Sequence, residues 1–156
     1  MKKVTLAVLL FQSGVAVLAA LSAVNFSGHW IFDPTQGRNV GMMSQAKIQT
    51  TVTQSKTQLV VDDDSTFKGQ RDAQHATYDL TGKPVNNAST MAGQSITRSH
   101  WEGARLITEW NSAGAVAGTT TTRIETRYLS ADGKTMYVES ARPGQDPMVL
   151  VFTKDK

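Results

Sequence analysis

Three histidines are the side chains in this sequence best suited to acid–base or metal chemistry. His29, His75 and His100 lie far apart in the chain, and no two of them have the close spacing of a zinc motif. A fold that brought them together would offer neutral imidazole ligands, with Asp79 or Glu102 as a fourth ligand. We expect separate, exposed strand histidines instead, so the sequence predicts no metal site.

The other motifs that signal chemistry are missing from the sequence. The chain contains no Cys, which excludes disulfides, a Cys-ligated zinc site, a Cys nucleophile and a lipoprotein anchor. It has neither a Gly-x-Ser-x-Gly nucleophile elbow nor a Gly-rich phosphate-binding loop. The acidic run 62–64 lacks the spacing and the downstream glutamate of a calcium loop, so we predict a solvated turn that ends a strand there. The sequence therefore predicts no catalytic residue and no cofactor.

The first segment of the chain has the pattern of an export signal. Two lysines precede a long apolar stretch, 4–21, which closes with small residues up to Ala23. A basic start, an apolar centre and a small-residue exit are typical of a secretory signal peptide. We expect a helical signal peptide over 1–23 and a single domain over 24–156, located in the periplasm or secreted. No basic stop-transfer cluster follows Ala23, so no membrane anchor is expected after cleavage.

The charge balance gives no indication of a nucleic-acid partner. The whole chain has 16 basic and 13 acidic residues, for a net charge of +3. Two of the lysines belong to the predicted signal peptide, so the mature domain has 14 basic and 13 acidic residues. The remaining Lys and Arg residues are scattered rather than clustered, so we expect no nucleic-acid binding. The sequence makes no prediction of the oligomeric state.

Apolar residues recur at every second position through most of residues 24–156, which is the period of a half-buried β-strand. Phe26, Trp30 and Phe32 share one face of the first run, and Ile48 and Val52 share a face of the next. Later runs alternate in the same way. The residues predicted to line or plug the interior are Phe26, Trp30, Phe32, Ile48, Val52, Trp101, Leu106, Trp110, Tyr128, Met136, Leu150 and Phe152.

Turn residues separate these runs. Gly82, Gly103 and Gly133 stand where tight hairpins require a positive φ. Two longer segments, 34–44 and 83–94, are predicted to be loops. Short strands separated by polar turns favour an all-β fold, an antiparallel meander closed into a small barrel of about eight or nine strands. A β-sandwich is the alternative architecture.

Three short signatures carry a resemblance to a known family. The mature chain opens with a Gly-x-Trp at 28–30, followed later by Trp101-Glu102-Gly103 and by a Leu-Ser-x-Asp-Gly-Lys hairpin at 129–134. In this order they resemble a set of small secreted bacterial lipocalin-like β-barrel proteins, mostly uncharacterised. The resemblance covers most of residues 25–155.

The resemblance implies both an architecture and a function. It implies that Trp30 caps the closed end of the barrel and that a late arginine packs on this Trp. Arg123, Arg127 and Arg142 are the candidates for that arginine. It also implies reversible binding of a small, mostly apolar molecule inside the barrel.

The sequence thus predicts an exported, non-catalytic barrel that binds a small hydrophobic or amphipathic ligand in a preformed cavity. The candidate ligand-binding residues are Trp30, Trp101, Trp110 and Tyr128. One alternative is a protein-binding module or an inhibitor of a secreted hydrolase, which would use an exposed loop such as 33–44 or 86–94. An enzyme of unknown reaction is the second alternative.

Overall fold

One antiparallel sheet curls round until its two edges meet. The computed structural model describes residues 24–89 and 93–156. Its strands are β1 (Gly28–Phe32), β2 (Lys47–Gln54), β3 (Gln58–Phe67), β4 (Gln70–Asp79), β5 (Val85–Ser89), β6 (Gly93–Glu102), β7 (Arg105–Ala113), β8 (Thr120–Leu129), β9 (Thr135–Ala141) and β10 (Met148–Lys154). Their order in the sheet is β4-β3-β2-β1-β10-β9-β8-β7-β6-β5. The all-β antiparallel meander is therefore confirmed, and the barrel has ten strands rather than eight or nine.

The acidic run lies within a strand and not in a turn, contrary to the prediction. β3 continues through Asp62, Asp63 and Asp64, and the chain reverses only at Lys68 and Gly69. These two residues have φ values of 48° and 81°, as the central residues of a tight two-residue hairpin turn require. The prediction of a turn at 62–64 was wrong because it relied on the low strand propensity of aspartate.

The two predicted loops also contain regular structure. Residues 41–45 form a short 3-10 helix between β1 and β2. Residues 85–89 form β5, whose backbone pairs with β6 in register from Val85 opposite Thr97 to Ser89 opposite Gly93. Polar residues disfavour a strand locally, so β5 depends on the pairing that β6 provides.

The barrel closes between β4 and β5 through a side chain. The backbone N–H of Thr77 donates to Oδ1 of Asn87, and Nδ2 of Asn87 donates to the Thr77 carbonyl, both at 2.9 Å. Nδ2 also donates to Oγ1 of Thr97 at 2.9 Å. Within the described part of the chain no backbone ladder joins these two edge strands, and the amide of Asn87 makes the hydrogen bonds that a neighbouring strand would make to Thr77.

An aromatic cluster fills one end of the interior. Phe26 and Trp30 are 0% and 1% exposed, and the indole N–H of Trp30 donates to the Phe26 carbonyl at 2.8 Å. The ring of Phe26 stacks on Trp101, with 5.9 Å between centroids and 4° between planes. We call Phe26, Trp30 and Trp101 the aromatic plug. The cluster of buried apolar residues around it comprises Phe26, Trp30, Phe32, Ala46, Ile48, Val52, Leu59, Val61, Tyr78, Leu106, Trp110, Met136, Val138 and Phe152.

The cation that lies over Trp30 is a lysine. Nζ of Lys154, at the end of β10, is 5.2 Å from the centre of the Trp30 ring. The arginine expected there is placed elsewhere, because Arg123 lies over Trp110 and Arg127 beside Tyr78. The register sets Lys154 directly opposite Trp30, so the neighbouring strand determines the partner.

The predicted signal peptide, 1–23, lies outside the described residues. Among the residues that are described, no helix has the length and apolar character needed to cross a membrane.

Trp30→Ala should lower the free energy of unfolding by about 3–5 kcal/mol, because it leaves a cavity in the aromatic plug and an unused carbonyl on Phe26. Urea unfolding of the domain 24–156 measures this change. Ile31→Ala is the control, since Ile31 is the next residue of β1, points outward and is 38% exposed. A loss for Trp30→Ala no larger than that for Ile31→Ala would show that the plug does not stabilise the barrel.

Candidate functional site

The inner face of the barrel is apolar around the plug and polar across β6 and β7. β6 turns Ser95, Thr97 and Ser99 inward, opposite Thr108 and Ser112 of β7. The hydroxyl oxygens of Ser99 and Thr108 are 2.9 Å apart, and those of Ser95 and Ser112 are 2.7 Å apart. Small hydroxyl side chains that pair with one another can line an interior without leaving buried polar groups unsatisfied.

A buried ion pair lies on the inner face of β8. Nη2 of Arg127 donates to Oε1 of Glu125 at 3.0 Å, and the two side chains are 6% and 11% exposed. The register sets Arg127 between Leu106 of β7 and Val138 of β9, which are both core residues. Because burial penalises each charge, either group alone would be costly there, and the pair is tolerated as a unit.

Asp63 of β3 is a third ionisable group that faces the interior. Oγ1 of Thr50 donates to its Oδ1 at 2.5 Å. Burial raises the pKa of Asp63 above its ordinary value, and the hydrogen bond from Thr50 and the charge of Arg127 oppose this shift only in part. Burial also works against the charge of Arg127, but the attraction of Glu125 raises the pKa of the guanidinium overall. Arg127 therefore stays charged, and Asp63 holds a proton more readily than an exposed aspartate.

Two buried side-chain nitrogen atoms have no hydrogen-bond partner among the described residues. They are Nη1 of Arg127 and Nε1 of Trp110. Both side chains contact Tyr78, whose ring centre is 5.8 Å from the guanidinium carbon and 5.7 Å from the indole centroid in an edge-to-face arrangement. A buried donor without an acceptor costs about 1–3 kcal/mol. Each of the two nitrogens therefore marks a place, on a side chain in contact with Tyr78, where an acceptor atom would be stabilised.

Three of the four predicted ligand-binding residues lie on the inner face. Trp30 and Trp101 belong to the aromatic plug, and their packing on Phe26 gives them a structural role. Trp110 lies apart from them, with Tyr78 at its edge and the guanidinium carbon of Arg123 4.5 Å from its ring centre. Among the described residues, Nε1 of Trp110 is buried without a partner, whereas the indole of Trp30 is bonded to the Phe26 carbonyl.

Tyr128 points outward, although it was predicted to line the interior. It stacks on Tyr137 at 4.9 Å between centroids, and its hydroxyl donates to Glu139 at 2.7 Å. Burial, followed by the hydrogen bond to Glu139, raises the pKa of the Tyr128 hydroxyl to about 12. Neighbouring residues of a strand face opposite ways, so the inward Arg127 turns Tyr128 out.

Asp63, Glu125 and Arg127 are site residues that the sequence pattern did not predict. Tyr128 was predicted to face the interior, and its neighbour Arg127 would then face solvent, because neighbouring residues of a strand face opposite ways. One sequence feature could have predicted the buried pair. Glu125 and Arg127 carry opposite charges and are two positions apart. Such a pair shares one face of a strand and can neutralise itself when that face is buried.

The histidines lie on the outer surface and stay apart. Nε2 of His100 is 3.1 Å from Oε1 of Glu102, and Nδ1 of His75 is 2.6 Å from Oδ1 of Asp62. Within 24–89 and 93–156, no three His, Asp or Glu side chains converge as a set of metal ligands.

The outer surface of the described residues is concave in at least two places. One, of about 470 Å³, crosses β1 to β4, and another, of about 420 Å³, lies across β5 to β8. We call the first the outer groove. Four of its polar side chains are joined across strands, His75 to Asp62 and His29 to Thr51, whose Oγ1 is 3.0 Å from Nδ1 of His29.

Comparisons with known proteins identify the fold. No family model matches the chain, and no curated protein matches its sequence. Among solved structures, apo Caenorhabditis elegans lipid binding protein 8 is 12% identical with a TM-score of 0.67, over 88% of this chain and 100% of that one. A Schistosoma mansoni fatty acid binding protein in complex with arachidonic acid is 14% identical with a TM-score of 0.63, over 84% of this chain and 96% of that one. Secretory abundant heat soluble protein 4 from Ramazzottius varieornatus is 12% identical with a TM-score of 0.62, over 86% and 98%. At these identities the similarity shows the fold, a lipocalin/calycin-type barrel like those of fatty-acid-binding proteins.

Asp63→Asn and Asp64→Asn should change the pH dependence of stability in opposite directions. The pKa of Asp63 is raised in the folded state, so its contribution to stability is complete below the unfolded pKa of about 4 and is lost as the pH rises through the folded pKa. Asp63→Asn removes this loss and should gain stability over the unsubstituted protein between about pH 4 and pH 7.

Asp64 is the matched control on the outer face of the same strand. Its hydrogen bond from Arg71 lowers its pKa, so its contribution is present above about pH 4 and is lost on acidification. Asp64→Asn should therefore lose stability at neutral pH, by an amount that shrinks on acidification. Urea midpoints at several pH values measure both variants, and the same sign for both would contradict the inward placement of Asp63.

Proposed function

We propose that the barrel binds one small amphipathic molecule in its interior and performs no chemistry on it. The observation that carries this proposal is the pair of buried, unpaired donors on Arg127 and Trp110. An acceptor atom of a ligand head group meets these donors beside Tyr78. The apolar part of the ligand packs on buried apolar side chains such as Leu106 and Met136, away from water.

The fold supports an apolar ligand. Two proteins that share it are named for binding lipid or fatty acid, one of them in complex with arachidonic acid. The inner face of this chain also combines apolar and polar regions, as an amphipathic ligand requires. Fold similarity alone does not assign a ligand, so the proposal depends on the donors.

We favour the interior over the outer groove as the binding site because the polar groups of the two places differ in whether they already have hydrogen-bond partners. In the outer groove His75 is already paired with Asp62, and His29 with Thr51. A ligand there would compete with existing hydrogen bonds in contact with water. Nη1 of Arg127 and Nε1 of Trp110 have no such partner to give up within 24–89 and 93–156.

A protein-binding role has less support. The segment 33–44, expected to offer an apolar loop tip, exposes Met42 at 72%, but Met43 is half-buried against the core. One exposed methionine is ordinary on a protein surface and does not form a patch.

Trp110→Phe should weaken binding of the uncharged dye prodan by about 2–10-fold, because it removes one donor and keeps an aromatic ring. The measurement is the emission shift of the dye on titration with the domain 24–156, with anilinonaphthalene sulfonate as an anionic second dye. Tyr128→Phe and His75→Ala are the controls, since they remove a polar group outside the barrel. Failure of both dyes to bind at micromolar protein would overturn the proposal. So would a loss of affinity in His75→Ala with none in Trp110→Phe, because it would place the dye in the outer groove.

We also infer that the chain is an exported member of the bacterial lipocalin-like set. The basic start, the apolar stretch 4–21 and the small residues before Val24 support this inference. Expression of the full chain in a bacterium should yield a mature protein that begins at Val24 and leaves the cytoplasm. N-terminal sequencing and cell fractionation measure this. Ala23→Asp should block cleavage, and an uncleaved cytoplasmic protein in the unsubstituted chain would refute export.

A further inference from the structure

The charges that face the interior are nearly balanced before any ligand binds. Inward positions of β3, β4 and β8 carry Asp63, Asp72, Arg123, Glu125 and Arg127. Three carboxyl groups thus accompany two guanidinium groups on these strands, and Lys154, at the end of β10 over Trp30, adds a third cation. A ligand entering the barrel meets no excess of positive charge.

The charge of Arg127 in particular is already neutralised. Glu125 accepts its hydrogen bond at 3.0 Å, and both side chains are almost fully buried. The charge of Asp63 also acts on Arg127. A carboxylate bound at Arg127 would be a further negative group around one guanidinium, in a region where burial strengthens repulsion between charges.

Hydrogen-bonding capacity nevertheless remains on Arg127 and on Trp110. Nη1 of Arg127 and Nε1 of Trp110 are donors only, because neither group has a lone pair to offer as an acceptor. A ligand that satisfies them must bring an acceptor oxygen. The site therefore requires an acceptor and disfavours a negative charge.

We propose that the interior selects an uncharged head group with an acceptor oxygen, such as a carbonyl, ester or ether, on an apolar chain, and discriminates against the carboxylate of a fatty acid. This inference rests on the proposed function and specifies the ligand class of the same site. Glu125 is the residue that sets the selectivity, because it supplies the charge that an anionic head group would otherwise provide.

The test compares ligands that share one alkyl chain and differ in the head group. Methyl decanoate, decanoate and decylammonium are used to displace prodan from the domain 24–156 near pH 7, where the acid is ionised. Methyl decanoate should displace the dye at a concentration about tenfold below that of decanoate. Decylammonium should be the weakest, because it brings donors and a positive charge to Arg127.

Glu125→Gln tests the origin of the selectivity. It keeps the size of the side chain and an oxygen for Arg127, but it leaves the guanidinium uncompensated. Decanoate should then gain about tenfold in affinity, while methyl decanoate changes by less than about threefold. Glu109→Gln is the matched control, since Glu109 lies on β7 with its side chain exposed on the outer face.

The outcomes separate this inference from the proposed function. Decanoate that binds the unsubstituted protein as tightly as methyl decanoate would overturn the selectivity and leave interior binding intact. Tightest binding of decylammonium would also overturn it. If neither prodan nor any of the three ligands binds, the proposed function and this inference fall together. The ranking in the unsubstituted protein decides the question even if E125Q does not fold.

Discussion

The alternation of side chains along a β-strand is the constraint on which the interior of this barrel depends. Each residue of β8 can face only inward or outward, so the position of Arg127 fixes those of Glu125 and Tyr128. The register sets this strand between β7 and β9, where Leu106 and Val138 are buried beside Arg127. A shift of β8 by one residue would expose its whole inward set to solvent. Apolar neighbours therefore hold the ion pair inside the barrel.

The same constraint explains which parts of the structure could be predicted from the sequence. Alternation of apolar residues predicts the strands and the inward Trp30, and Gly103 marks a hairpin that requires its φ of 59°. The pattern fails where a buried face is polar, since Arg127 then resembles a solvent residue. It also fails at β5, which forms because β6 pairs with it. The unpaired donor of Trp110 depends on side-chain geometry in three dimensions, so local sequence carries no signal for it.

Polar groups of similar type have different consequences inside and outside the barrel. On the outer face, His75 and Asp62 pair in contact with water, where an ion pair contributes little to stability. Inside, Asp63 is next to Asp62 in the chain, yet burial raises its pKa, and the hydrogen bond that Thr50 donates to it at 2.5 Å opposes this shift only in part. The difference arises from solvation, since the residue type is the same. What each polar group of this chain can bind therefore depends on its burial and on its hydrogen-bond partners.

The closure of the barrel bears on the geometry of the interior. Along most of its circumference, strands are joined by ladders of backbone hydrogen bonds, whereas the bonds described between β4 and β5 include the two that the amide of Asn87 makes to Thr77. β3 and β4, by contrast, are joined by a ladder ten residues long. Thr77 directly precedes Tyr78, whose ring contacts the side chains of Arg127 and Trp110. Asn87 thus holds β4 at the residue next to Tyr78, so closure of the barrel and the geometry around the two unpaired nitrogens depend on neighbouring residues of one strand.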